Sequence, residues 1–272
     1  MSAPAARPAF HRLLLTGAAG GLGVELRRRL PAHCAVLRVS DVAPLGDARE
    51  REELRPADLA DADAMLALLE GVDAVVHLGG VSTEQPWSAI LPANIVGAVN
   101  LYEAARRHGV RRVVFASSNH VTGFYRQDEV IPAGAPPKPD GFYGLSKAFG
   151  EDLAQLYFDK HGIETVSLRI GSSFAAPRDR RMLHTWMSFD DLERLVLAAL
   201  GAKDVGHSIV CGVSANPHVW WDNTPAAHLG YVPQDSSAPF AAAIERDQPP
   251  GDPSDPAVVY QGGAFVRQGP GQ

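Results

Sequence analysis

The chain has 272 residues, 46% of them hydrophobic and 21% charged, with 26 glycines, 21 prolines and a net charge of −6 from 25 basic and 31 acidic side chains. This composition excludes disorder as the main state, and at roughly 100–200 residues per domain the length suits one large α/β unit or two small ones. A mildly acidic total lacks the concentrated Lys/Arg that nucleic acid or an anionic membrane attracts, so neither partner is expected and any anionic ligand must meet a local basic group.

In chain order, the apolar run at 12–16 predicts a strand that passes through glycine-rich sequence into a helix over 22–30. A strand-like 35–39 follows, then a helix over 61–70 carrying Met65, Leu66, Leu68 and Leu69, and an apolar strand at 74–78. The alternation repeats with a long helical stretch over 90–108, a strand at 112–116, a helix over 143–161 and a strand at 165–170. Strands buried on both faces read as continuous apolar runs, and their alternation with helices predicts right-handed crossovers and a doubly wound parallel sheet of Rossmann type. Beyond Ile170 the regularity decays into an arginine-rich loop at 177–181, one helix over 190–200, a short strand at 208–210 and proline-rich sequence. The expected division is a nucleotide-binding core over 1–170 and a small substrate-side lobe over 171–272, together one compact unit. From Gln248 onward the tail reads as an extended segment laid on a surface or on a neighbouring subunit.

No apolar run approaches the roughly 18 residues of a spanning helix, and the start MSAPAARPAF lacks the basic-then-apolar pattern of a secretory signal, so a cytoplasmic protein is expected. Cys34 and Cys211 lie in apolar stretches without a second metal-spaced ligand and read as buried free thiols.

Gly17, Gly20 and Gly23 fall in TGAAGGLG, where the first strand turns into the first helix. Side chains there would keep phosphates from the backbone N–H groups, and the helix N-terminus offers roughly half a positive charge to a pyrophosphate. Asp41, at the end of the next strand, lies 24 residues past Gly17, near the roughly 20-residue offset at which an acid accepts hydrogen bonds from the adenosine ribose. A carboxylate there repels a 2′-phosphate and so favours NAD; the other reading is a turn cap. Asp58, after a third strand-like segment, suits the adenine amino group, with a helix N-cap or a surface acid as its other readings. Gly79 and Gly80 follow the fourth strand, where missing side chains let a cofactor cross the sheet edge.

Tyr143 and Lys147 stand four apart in YGLSK, on one face of a helix. Lowering a phenol by about three pKa units takes roughly 4 kcal/mol, about what one ammonium near 4 Å supplies at an effective dielectric near 20, and the positive charge of a nicotinamide would add to it. Ser118 ends the fifth strand at the carboxyl edge, placed to hold a substrate hydroxyl that Tyr143 deprotonates.

The set TGAAGGLG, Asp41, Ser118 and YGLSK resembles the extended short-chain dehydrogenase/reductase superfamily, in which Ser, Tyr and Lys hold these roles. More closely, from about residue 11 to the tail, the chain resembles the bacterial uronate dehydrogenases. The segments that carry this likeness are HLGGVS (77–82), FASSNH (115–120), YFDKHG (157–162), RIGSS (169–173), RMLHTW (181–186), WWDN (220–223) and QGGAFV (261–266). The resemblance implies substrate contacts at Ser82, Ser118, Asn119, His120, Ser172 and Arg181. It implies NAD contacts at Gly21, Leu22, Asp41, Asp58, Leu59, the turn from Leu78 through Gly79 and Gly80 to Ser82, Tyr143, Lys147 and Ile170.

The activity so implied is NAD-dependent oxidation of galacturonate or glucuronate at C1 to an aldarolactone, which opens to the aldaric acid; no metal is called for. Arg181 offers a planar fork suited to the sugar carboxylate, while Arg178 and Arg180 read as a solvated loop. His120 reads as a donor to a sugar hydroxyl or as a packed core residue. Nucleotide-sugar epimerases and dehydratases share the Ser/Tyr/Lys set, and a non-catalytic NAD-sensing protein shares the fold. Only about 100 residues follow Ile170, short for a nucleoside-diphosphate lobe, and intact Tyr143 and Lys147 argue for catalysis. This superfamily builds subunit contacts on the helices over 90–108 and 143–161, which implies a homo-oligomer.

Overall fold

Seven short strands align in parallel, the inner ones apolar enough to bury both faces and the edge strand Glu52–Leu54 only half-buried. In the computed structural model, which describes residues 10–269, they are β1 (Phe10–Thr16), β2 (Cys34–Ser40), β3 (Glu52–Leu54), β4 (Ala74–His77), β5 (Arg112–Ser118), β6 (Glu164–Ile170) and β7 (His207–Gly212). The reading of the first nine residues lies outside the described ones. The spatial order is β7, β6, β5, β4, β1, β2, β3, with every neighbouring pair parallel. The chain therefore walks from β1 to one edge and returns past it through β4 to the other. Between β1 and β4 the crossovers leave in opposite directions, which opens a crevice at the carboxyl ends of the strands.

Alternate side chains point to opposite faces of each strand and sort into two cores. Leu13, Leu15, Leu37, Val76, Val114 and Leu168 pack with α1 (Gly21–Arg29) on one face, where Leu192, Leu195 and Val196 of a later helix join them. Leu14, Val75, Val113 and Phe115 face the other way. There they meet α2 (Ala62–Leu68), α3 (Gly97–His108) and α4 (Phe142–His161) through Met65, Leu68, Leu101, Tyr102, Leu153 and Ala154. The long helical stretch before β5 is not uniform: a turn at Trp87–Ile90 runs through a π-helical Leu91–Val96 into α3. Such widened turns arise where one extra residue must be accommodated, and they recur at functional sites.

The sheet continues past the expected boundary at Ile170. The helix α5 (Phe189–Gly201) packs on the first core, and β7 pairs with β6 along its length, so the lobe lends a strand to the same sheet. The tail also departs from expectation. After α6 (Ala238–Asp247) and a turn at Pro256–Val259 it folds back into the molecule instead of lying extended on its surface. Gln261 is fully buried, with its amide accepting from Trp221 Nε1 (2.9 Å) and donating to the carbonyl oxygens of Arg126 (2.9 Å) and Glu129 (3.0 Å). Cys34 and Cys211 are free and buried. Among the described residues, no helix is long and apolar enough to cross a membrane.

A buried ion pair joins the layers behind the site. Arg169 of β6 grips Glu151 of α4 bidentately at 2.9 and 2.7 Å, and its remaining nitrogen donates to the carbonyl oxygens of Ala133 and Ala135. Glu151 also accepts from Ser117 Oγ on β5 at 2.5 Å. Removing one partner leaves the other charge buried and unpaired, which costs about 3–5 kcal/mol. Glu151→Ala is accordingly expected to lose that much in urea denaturation, whereas removal of the exposed Arg126–Asp128 pair is expected to leave the denaturation midpoint nearly unchanged.

Candidate active site

The crevice is a cleft of about 1320 Å³, and every site residue expected from the sequence lines it. At its floor the glycine turn divides its labour. Gly17 has φ +69°, and a Cβ there would stand 2.6 Å from the Leu78 carbonyl carbon; a Cβ at Gly23 would stand 2.1 Å from Gly17 O. Those two positions are closed to any side chain by the turn itself. A Cβ at Gly21 meets nothing within 4 Å, so that position borders open cleft at the start of α1. Bare backbone facing open space at a helix N-terminus fits a dinucleotide pyrophosphate.

Asp41 caps the glycine turn, the second of its two readings. Its carboxylate accepts from Ala19 N in the glycine turn (3.0 Å) and from Ala43 N (2.9 Å), while its residue borders the cleft. The turn thus holds the acid in place and leaves further lone pairs for ribose hydroxyls. Asp58 is exposed and accepts from Ala60 N at 2.9 Å. It does not cap α2; Asp61 does, accepting from Asp63 N and Ala64 N. Leu59 is buried beneath Gly79 and Gly97, where a Cβ would stand 2.9 Å and 2.6 Å from its side chain. Gly80 has φ +126° and leads into the exposed Ser82 on the opposite rim.

Tyr143 and Lys147 lie on the first turns of α4, both buried. The start of that helix is held by a residue the sequence reading missed. Glu84 is 6% exposed and accepts from the N–H groups of Phe142 and Tyr143, each at 2.9 Å. A second tie comes from Asn94 in the π-helical turn, which binds both backbone groups of Val81 and donates to Ser146 Oγ at 2.8 Å. Ser146 in turn donates to Tyr143 O at 2.7 Å.

The electrostatics correct one expectation. Lys147 does not depress the phenol in the protein alone. Burial pushes Tyr143 up to about 12, the Asp140 carboxylate adds to that rise, and only the neighbouring Ser118 hydroxyl works against it. The Lys147 Nζ stands 5.7 Å from the Tyr143 ring centre and 5.2 Å from that of Phe115. Burial also pushes the lysine down, to about 8. At this separation and burial the ammonium is itself under-solvated, so lowering the phenol needs additional positive charge from a bound oxidised nicotinamide.

On the opposite wall Arg181 is half-buried, and burial lowers its pKa. Its Nε and Nη2 donate to Gln261 O (2.8 and 2.6 Å) and its Nη1 to Ser172 Oγ (3.2 Å). With its amide oriented to donate to Ile170 O, Asn119 accepts from Arg181 Nη2 at 2.8 Å. Among the described residues no carboxylate pairs with this guanidinium. Arg178 is exposed and stacks on Phe174, while Arg180 donates to Gln248 O. Between the walls, His120 contacts Asp140, a residue that no sequence pattern had flagged, and is covered by Phe265 of the QGGAFV segment in the tail.

A buried lysine without a counter-ion lowers stability wherever it must stay protonated. With a native pKa near 8 against an ordinary 10.5, this cost is fully present below pH 8 and is relieved as pH rises from about 8 to 10.5. Lys147→Met is expected to raise stability at pH 7 by up to about 3 kcal/mol in denaturant titrations, with the gain shrinking towards pH 10. An unchanged or lower stability at pH 7 contradicts this account.

Comparison with known proteins agrees with this architecture. Residues 13–189 match the model of the NAD dependent epimerase/dehydratase family. The chain is 58% identical over 270 residues to a uronate dehydrogenase of Pseudomonas syringae pv. tomato, covering 99% of this chain and 98% of that one. Among solved structures, a glucuronic acid dehydrogenase from Chromohalobacter salexigens superposes with a TM-score of 0.94 at 52% identity, over 95% of this chain and 97% of that one. A mutant of the uronate dehydrogenase from Agrobacterium tumefaciens, complexed with NAD, gives 0.93 at 49% identity, over 96% of this chain and 98% of that one. With its glycine turn, its Tyr143/Lys147 helix and this near full-length likeness, the chain belongs to the NAD dependent epimerase/dehydratase family and, within it, to the uronate dehydrogenases.

Proposed function

We propose that the chain oxidises C1 of a cyclic hexuronic acid, galacturonate or glucuronate, to the aldarolactone, with NAD as the electron acceptor. The observation that carries the proposal is Arg181, a half-buried guanidinium with no carboxylate at ion-pair distance among the described residues, which shares one cleft with Tyr143 and Lys147. A partly desolvated cation without a paired carboxylate favours an anionic ligand, and its planar fork suits a carboxylate.

The turn from Gly17 to Gly23, with Gly20, Gly21 and Leu22 on its rim, is where the pyrophosphate fits. Asp41 suits the adenosine ribose and Asp58 the adenine edge, while Leu59, Leu78, Gly79, Gly80 and Ile170 line the path to the catalytic helix. When bound, the nicotinamide supplies the acceptor for the hydride that leaves C1. Ser118, whose Oγ already accepts from His120 N at 3.2 Å, orients the C1 hydroxyl. Tyr143 takes its proton, so that C1 becomes a carbonyl while the ring oxygen stays bonded and the product is a lactone. Lys147 provides positive charge beside the phenolate. Arg181, with Ser172 and Asn119 fixing its fork and Ser82 on the facing rim, holds the sugar carboxylate. Holding the reactants in a near-attack arrangement is the main gain available to such a transfer. Water opens the lactone to the aldaric acid after release. A reaction that draws on NAD supports a cytoplasmic location.

Two variants separate the halves of the mechanism. Tyr143→Phe is expected to lower kcat by about 10³-fold or more, the span of a lost general base, with the NAD dissociation constant nearly unchanged. Normal turnover in that variant sinks the proton-transfer assignment. Arg181→Ala is expected to raise KM for uronates about 10- to 100-fold, the range for lost charge-assisted hydrogen bonds, without the same effect on an aldose that lacks the carboxylate. Equal losses on both sugars contradict the carboxylate role. NADH absorbance across a panel of uronates, aldoses and nucleotide sugars reads out both.

We also infer a homo-oligomer. Trp87, Leu91, Val96 and Val99 on the run into α3, and Leu145 and Leu156 on the adjoining α4, are each 38–46% exposed. Two neighbouring helices with an apolar face form a surface that a second copy can match about a twofold axis. Leu156→Asp combined with Val99→Asp is expected to yield monomers in analytical ultracentrifugation. A monomeric parent protein overturns the inference.

A further inference from the structure

We propose that Asp140 is a positioning residue that fixes the tautomer of His120, so that His120 offers the sugar a hydrogen-bond acceptor at Nε2. This rests on the reading of the cleft as a uronate site and goes beyond it to a residue that touches no substrate. Asp140 directly precedes the N-cap of α4, and its side chain is fully enclosed. Its Oδ2 lies 2.6 Å from His120 Nδ1, while its Oδ1 has no partner among the described residues. Three backbone segments close on the carboxylate. A Cβ at Gly123 or Gly262 would stand 2.0 or 2.1 Å from Oδ2, and one at Gly144 would stand 3.2 Å from Oδ1. So tight an enclosure around an acid with one hydrogen bond is costly, and its one bond is directed at the imidazole.

The imidazole is equally constrained. Phe265 stacks on it with ring centres 3.7 Å apart, and Tyr143 meets it edge-on at 5.8 Å. Besides Asp140, the charged groups that act on it are Arg181, which opposes its protonation, and Glu84, which favours it. Burial outweighs the two acids and lowers the pKa of the imidazole, which favours the neutral ring. A neutral imidazole carries one N–H, and an ionised carboxylate only accepts. The proton therefore sits on Nδ1, and Nε2, on the opposite edge of a ring that lines the cleft, is left with a lone pair. This reverses the donor role expected from the sequence. The substrate must then bring a hydroxyl that donates, so a sugar lacking that hydroxyl or carrying an ether in its place leaves a desolvated acceptor unpaired.

The test has a spectroscopic arm and a kinetic arm. In parent protein labelled with ¹⁵N at histidine, the expected signals show a protonated Nδ1 and an unprotonated Nε2 for His120; a protonated Nε2 overturns the proposal even if the enzyme is fully active. In kinetics, Asp140→Ala is expected to raise KM for uronate by about tenfold or more, the worth of a misdirected hydrogen bond, with NAD affinity unchanged. In a His120→Ala background the same change is expected to add nothing, because it acts only through the imidazole. An additive loss in the double variant, or a fall in thermal stability and kcat at constant KM, assigns Asp140 a structural role and refutes the inference. Failure of the parent protein to oxidise any uronate would instead sink the functional reading.

Discussion

The chemistry of this protein depends on where the first turn of α4 comes to rest, and the buried Glu84 carboxylate sets that point. The opening N–H groups of a helix have no partners within it, and here Phe142 and Tyr143 give theirs to one acid. A charge-assisted bond at a helix N-terminus also gains from the dipole, so the contact fixes both the position and the pitch of the turn that carries the phenol. Glu84 follows the loop that lines the cofactor side of the cleft, and Asn94 ties the same loop to Ser146 on the next turn of α4. The segment that lines the cleft and the helix that carries Tyr143 are therefore one mechanical unit.

That unit holds its charges at a cost. Among the described residues Lys147 is buried without an acid at ion-pair distance, Arg181 has neutral oxygens as its hydrogen-bond partners, and Asp140 has an oxygen with none. On the proposed function, a phenolate on Tyr143 would relieve the lysine and an anion would relieve the guanidinium, while Asp140 would stay as it is. Strain of this sort persists only where the surroundings over-determine it. Arg169 and Glu151 do so directly behind the site, with both carboxylate oxygens and all three guanidinium nitrogens satisfied. The contrast separates a pair that holds layers together from single charges kept ready for ligands.

Much of this was legible in the sequence because local pattern carries it. Apolar runs such as 74–78 and 112–116 can only be strands buried on both faces, and the glycine turn needs its residues for steric reasons confined to a few positions. What was not legible lies in contacts between distant segments. Glu84 and Tyr143 are 59 residues apart, and Arg181 and the Gln261 carbonyl are 80 apart. Neither a carboxylate in a loop nor a backbone carbonyl in a proline-rich tail shows periodicity. The lysine's effect on the phenol was overestimated for a related reason: spacing along a helix reports proximity, and only the packed structure reports how far burial of both groups offsets it.

The misreading of the tail is the most instructive, because proline-rich sequence ordinarily signals an extended or linking segment. Here proline merely removes the option of long helices, and the segment finds its order in side chains. The Gln261 amide saturates itself on Trp221, Arg126 and Glu129, which directs its own carbonyl at two nitrogens of Arg181. Four residues on, Phe265 lies flat against His120. The first 170 residues bring together the glycine turn, the phenol and the ammonium, which suffice for the chemistry common to the family. The guanidinium and the aromatic lid that would distinguish an acidic monosaccharide take their positions from the last segment of the chain. A change of substrate is thus open to alterations near residues 261–265 that leave the glycine turn and the catalytic helix untouched.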